Sequence, residues 1–149
     1  MEIEKEIKNA KFLNNYQKVS VNIVYTYNWL NSLLKTELDK YQITNQQFNI
    51  LRILKGQYPK PATVNILKER MLDKMSDASR IVDRLVQKEL VTRCVNDKDR
   101  RAVDIVITEK GLNLLKSVLI EDLITHALQN NITEDEANTL SLLLDKLRG

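Results

Sequence analysis

Apolar residues recur at helical spacing along nearly the whole chain, and one segment interrupts that pattern. Residues 90–108, "LVTRCVNDKDRRAVDIVIT", hold two short β-prone runs on either side of five consecutive charges, Asp97 to Arg101. Two such runs around a polar turn read as a β-hairpin. The only prolines, Pro59 and Pro61, stand close together, so long helices are allowed elsewhere. A mainly helical chain with a single hairpin has few architectures open to it.

From Phe12 to Tyr41, the spacing of Val19, Ile23, Tyr27, Leu30, Leu34 and Leu38 predicts one long helix. Thr44 and Gln47 form a capping box, with Ile43 and Phe48 placed as its hydrophobic staple. The helix that follows carries Phe48, Leu51 and Leu54 and stops near Gly56. "YPKPAT" is expected to be extended, because each proline disfavours helix in the residue before it. Thr63 is positioned to cap a third helix, "VNILKERML". After a break at "DKM", Ser76 is positioned to cap a fourth, "DASRIVDRLVQKEL". In that fourth helix Ala78, Ile81, Val82 and Leu85 face inward. Asp77, Ser79, Arg80, Asp83, Arg84 and Lys88 are left outside.

Two short helices joined by a tight turn have the form of a helix-turn-helix, and the hairpin after them has the place of a wing. Beyond it, Thr108 is expected to cap a helix running to about Gln129. Ile132, Thr133 and Glu136 repeat the staple and box for a last helix bearing Ala137, Leu140, Leu143, Leu144 and Leu147. The fold class expected is mainly α with a small β-hairpin wing, a winged helix-turn-helix flanked by N- and C-terminal helices. The 149 residues form one domain. Residues 43–111 are expected to make its winged helix-turn-helix lobe, and 1–42 with 112–149 a helical lobe.

Enzymatic chemistry finds no constellation. His126 is the only histidine, which leaves no metal cluster to build around it, and it reads as a surface or interface residue. Cys94, the only cysteine, is expected to pack within its strand, with redox sensing as the alternative. Three dispersed glycines make no phosphate loop. Glu121-Asp122 and Asp135-Glu136 read as solvated helix surface. We expect no enzyme activity, no cofactor and no metal. One unpaired cysteine and the absence of a signal-like N-terminus lead us to expect a cytoplasmic protein. No apolar run approaches the roughly 20 residues of a membrane span.

Charge is distributed unevenly. Residues 60–101 carry 11 basic and 7 acidic groups, whereas residues 102–149 carry 4 and 8. A mildly basic middle is compatible with a nucleic-acid face, and equally with a solvated helical surface. The fourth helix sharpens the matter, because a recognition helix meets base edges with its N-terminal residues. Ser76, Asp77, Ser79 and Arg80 occupy that position, and Arg84 shares the face of Arg80 one turn on. Asp77 is placed to accept from a cytosine amino group or to orient Arg80. At the hairpin tip, Lys98, Arg100 and Arg101 match what a narrow minor groove attracts. Asp99 stands two residues from Arg101, where a carboxylate can fix a guanidinium's direction.

The segment from Asp99-Arg100-Arg101 to Ile107-Thr108 resembles the Asp-x-Arg-x5-Leu-Thr wing signature of the multiple-antibiotic-resistance regulator (MarR) family. "SRIVDRLVQKELVTR" is similar to that family's recognition helix and first wing strand, and "ITEKG" to its entry into the next helix. The resemblance implies a homodimeric winged-helix transcription regulator. It would read a pseudo-palindromic operator on double-stranded DNA and act as a repressor relieved by a small phenolic or lipophilic effector. Arg101 would enter the minor groove with Asp99 positioning it, and the helix from Ser76 would lie in the major groove. Lys98 and Arg100 would hold phosphates. The first helix and the last two would form the dimer, to which Leu119, Leu123, Leu140, Leu144 and Leu147 would contribute. Ile107 replaces the signature leucine, and Glu89 stands where glycine is common before the wing. No cysteine lies near the N-terminal helix, so oxidant sensing there is not implied.

The residues support a dimer independently. Between Leu112 and Leu128, apolar side chains fall on every side of the helical wheel, and such a helix must be buried on several faces. Tyr16, Tyr25, Tyr27 and Trp29 on the first helix are expected to pack in a core, with lining of an effector crevice as the alternative. The rival function is a winged-helix protein-interaction module without DNA binding, kept open by Asp77 and Asp83.

Overall fold

The computed structural model describes residues 2–8, 11–95 and 103–149. Their order is α1 (Ile3–Glu6), α2 (Asn15–Asp39), α3 (Asn45–Gln57), β1 (Ala62–Thr63), α4 (Val64–Arg70) and α5 (Ala78–Gln87). Then follow β2 (Val91–Val95), β3 (Val103–Ile107), α6 (Glu109–Ser117), α7 (Ile120–Gln129) and α8 (Glu134–Arg148). They group into two compact units, one of residues 35–120 and one of residues 1–34 with 121–149.

In the 35–120 unit, local chemistry sets most of the boundaries. Thr44 Oγ1 accepts from the Gln47 amide at 3.2 Å and Gln47 Oε1 accepts from the Thr44 amide at 3.0 Å, so the capping box opens α3 as expected. Thr63 caps α4, and Thr108 caps α6 through the Gly111 amide. The core gathers Leu38, Ile50, Leu51, Leu54, Leu67, Met71, Val82, Leu85 and Ile105, all essentially inaccessible. Burying each such side chain contributes about 1.5–3 kcal/mol. The hairpin is present, with Arg93 opposite Ile105 and Val91 opposite Ile107. The extended piece after the prolines goes further than expected. Ala62 and Thr63 pair with Ile105 and Asp104, which makes a three-stranded antiparallel sheet in the order β1-β3-β2.

Four helix boundaries differ from expectation. α4 ends at Arg70 because the chain must turn to bury Met71. α5 begins at Ala78 and closes at Gln87, after which Glu89 adopts φ +61°, the left-handed conformation that ends a helix. A short α1 precedes the long helix, held by Lys18 Nζ on Glu4 at 2.5 Å and by the Tyr25 hydroxyl on Glu6 at 2.7 Å. Lastly, the helix expected from Thr108 to Gln129 is two helices. α6 stops at Ser117, Val118 is extended, and α7 starts at Ile120. The break turns both Val118 and Ile120 into the core. It frees the Ser117 carbonyl, which accepts from the Tyr41 hydroxyl at 2.5 Å. Part of the apolar surplus between 112 and 128 is therefore absorbed within this unit, and no single continuous helix carries it to a dimer face.

The other unit is poorly buried. Helix α8 opens on the expected box, with Glu136 Oε2 accepting from the Thr133 amide at 2.8 Å, yet it has no buried residue.

Candidate nucleic-acid interface

The turn between α4 and α5 is built from short polar contacts. Asn49 Oδ1 accepts from the Leu72 amide at 3.0 Å, tying the turn to α3. Asp73 accepts from the Met75 amide at 3.0 Å and from the Ser76 hydroxyl at 2.6 Å. Those donors, the Ser76 hydroxyl foremost, hold the Asp73 carboxyl below its ordinary range. Ser76 belongs to the turn, tied to Asp73, and contrary to expectation does not cap α5. Asp77 does, accepting from the Arg80 amide at 3.1 Å. A carboxylate is the stronger cap, since it also meets the positive end of the helix dipole. Asp77 is thus engaged with the backbone of Arg80 rather than with its side chain.

From that cap, α5 presents Ser79, Arg80, Asp83, Arg84 and Gln87 to solvent, while Ala78, Val82 and Leu85 are buried. Arg80 and Arg84 are one turn apart and share a face. Asp83 between them would oppose a polyanion, but it forms an ion pair with Arg93 of β2. Sequence reasoning missed Arg93. The signal was available in the alternation of β2, which puts Arg93 on the same side as Val91, the side that meets α5. Lys88, expected outside, is half-buried and donates to the Gln42 carbonyl at 2.9 Å.

The base of the hairpin is closed on several counts. Thr108 donates through its amide to the Leu90 carbonyl at 3.1 Å and through its hydroxyl to the Glu89 carbonyl at 2.8 Å. Lys110 Nζ meets Glu89 Oε2 at 2.8 Å and holds that carboxyl below its ordinary range. A Cβ added to Gly111 would stand 2.4 Å from the Leu90 carbonyl oxygen, so only glycine fits there. Lys98, Asp99, Arg100 and Arg101, the expected tip residues, lie outside the described residues.

The remaining sequence candidates fall elsewhere. Cys94 is exposed, not packed, because it points away from the covered side of an edge strand. Its Sγ stands 3.8 Å from the Asp104 carbonyl oxygen. Tyr16, Tyr25, Tyr27 and Trp29 are all exposed, between 37% and 87%, which overturns their expected core packing. Leu119, Leu140 and Leu147 are at least half exposed, and Leu123 and Leu144 are intermediate. His126 is exposed. Among the described residues no group of His, Cys, Asp or Glu is arranged to hold a metal, and no helix is long and apolar enough to cross a membrane.

Residues 43–103 match the model of the MarR family. Among curated proteins, the chain is 28% identical over 103 residues to the HTH-type transcriptional regulator MhqR of Bacillus subtilis, an alignment covering 68% of each. It is 36% identical over 74 residues to the HTH-type transcriptional repressor MdtR of the same organism, covering 50% of this chain and 46% of MdtR. Among solved structures, it is similar to a cysteine-to-serine mutant of MarR from E. coli complexed with operator DNA. There the identity is 28% and the TM-score 0.78, over 93% of this chain and 99% of that one.

Proposed function

Because the chain belongs to the MarR family of winged-helix transcription regulators, we propose that it acts as a homodimeric repressor. Each protomer would lay α5 in the major groove of a pseudo-palindromic operator. The observation that carries this reading is the outer face of α5. Its N-terminus is capped by Asp77, Arg80 and Arg84 project from it, and its one mid-face carboxylate is neutralised by Arg93. Ser79 and Arg80 would meet base edges and Arg84 a phosphate. Beyond the described residues, Arg101 would enter the minor groove with Asp99 directing it, and Lys98 and Arg100 would hold backbone.

Dimerisation is supported by α8. Leu140, Leu143 and Leu147 share one side of the helix and stand 50–61% exposed, an apolar stripe that a partner helix would cover. A two-fold dimer would set its recognition helices about 34–36 Å apart, one turn of DNA. Repression finds support in the likeness to MdtR, which is named a repressor. The exposed aromatics of α2 would offer stacking surfaces to a small phenolic or lipophilic effector that relieves repression.

Selection of bound duplexes from a random pool tests the reading directly. An inverted repeat is expected among the selected sequences. Arg80→Ala should relax base preference within each half-site, and Arg101→Ala should flatten the salt dependence by roughly 0.9 in log–log slope for each of the two copies lost. If no duplex binds in a salt-sensitive way, the protein is an interaction module instead.

A further inference from the structure

The side chain of Arg93 has an unusual position for a guanidinium. Residues directly opposite in an antiparallel pair share a face of the sheet. Val91, Arg93 and Val95 therefore lie on one side, with Ile107, Ile105 and Val103 beside them. That side is buried at Val91, Ile105 and Ile107 and opens at Val95 and Val103, which are 67% and 43% exposed. Arg93 stands at the rim where the cover of the sheet ends. Its guanidinium reaches the outer face of α5 and gives Nη2 to Asp83 Oδ1, while 38% of its side chain stays in contact with solvent.

An isolated ion pair this exposed contributes little to stability, about 0–1 kcal/mol. Its geometry has a different use. A guanidinium has five N–H donors, and the contact with Asp83 takes one. The guanidinium is held at Asp83, which lies between Arg80 and Arg84 in the exposed run of α5, the surface that faces DNA in the reading proposed above. We infer that Arg93 is a phosphate-contacting residue of the DNA interface, and that Asp83 is its positioning residue. Asp83 holds the fork at the junction of recognition helix and first wing strand, so that both elements meet one backbone. The acid on the helix face thus serves binding by aiming a cation supplied from another element.

The inference rests on the DNA-binding reading, and the test separates the two. Wild type, Arg93→Gln and the double variant Asp83→Asn/Arg93→Gln are titrated against one selected duplex across a range of salt. The double variant has the same net charge as wild type, so long-range attraction is held constant. Circular dichroism melts confirm that all three fold. A phosphate contact predicts that both variants bind more weakly than wild type, with slopes lower by roughly 1.8, about 0.9 for each protomer's lost contact. If the double variant matches wild type in affinity and slope, Arg93 merely neutralises Asp83 and the inference is overturned. Failure of wild type itself to bind any duplex removes the underlying reading.

Discussion

At the scale of single residues, two backbone positions at the foot of the wing show how local geometry constrains this fold. Glu89 holds φ +61°, where a side chain with a Cβ is strained by its own carbonyl. Glu89→Gly should raise the thermal midpoint by about 2–4 °C, read by calorimetry, even though it gives up the pair with Lys110. Gly111 is the opposite case. Gly111→Ala drives a methyl into the Leu90 carbonyl and Ile107, and should destabilise by about 1–3 kcal/mol in urea titration. The first position was readable in the sequence, because glycine is so often found before the wing and Glu89 departs from that. The second was not. A close approach between α6 and the end of α5 depends on tertiary packing, and no spacing rule reports it. Arg93 is a middle case: the alternation of β2 gives its side of the strand, but its pairing with Asp83, ten residues away on another element, comes only from packing.

Elements were far more legible. Four threonines, at positions 44, 63, 108 and 133, begin helices as their side chains predict. The exception is Ser76, which stays in the turn with Asp73 while Asp77, one residue on, accepts the Arg80 amide and opens the helix. Helix ends were harder. The break at Val118 has no glycine or proline to announce it; it arises because the core of residues 35–120 takes both Val118 and Ile120. Tyr41→Phe removes the donor to the Ser117 carbonyl, and should cost about 0.5–1.5 kcal/mol in equilibrium unfolding. At the head of α8, the Thr133 amide, and then its hydroxyl, hold the Glu136 carboxyl below its ordinary value of 4.5. A depressed carboxyl stabilises the fold above its unfolded value and loses that contribution as pH falls through the folded one. Amide exchange at Thr133, corrected for its intrinsic pH dependence, should therefore show less protection below about pH 4.5 than above it. Protection that stays level through this range would count against the capping role.

For the molecule as a whole, the unit of residues 35–120 buries its own core, whereas α8 buries nothing. An amphipathic helix that leaves Leu140, Leu143 and Leu147 exposed along one side calls for a partner, and the proposed two-fold dimer would supply one. Leu140→Glu with Leu147→Glu should shift the protein to monomer in sedimentation velocity without unfolding α3 to α6. The loss of two-site binding should weaken operator affinity by about 10²-fold or more. A dimer that persists in this variant would move the interface elsewhere. The clasp at the foot of the hairpin, in which Leu90, Glu89, Thr108 and Lys110 bind one another, has one more consequence. The two ends of the wing are joined to each other independently of what lies between them. Closing a longer loop on fixed ends costs only about 0.6 kcal/mol per doubling of length. The stretch between β2 and β3 is therefore an exchangeable cassette. A tip transplanted from another protein of this architecture should change which DNA shapes are accepted while leaving the helices beneath it unaltered.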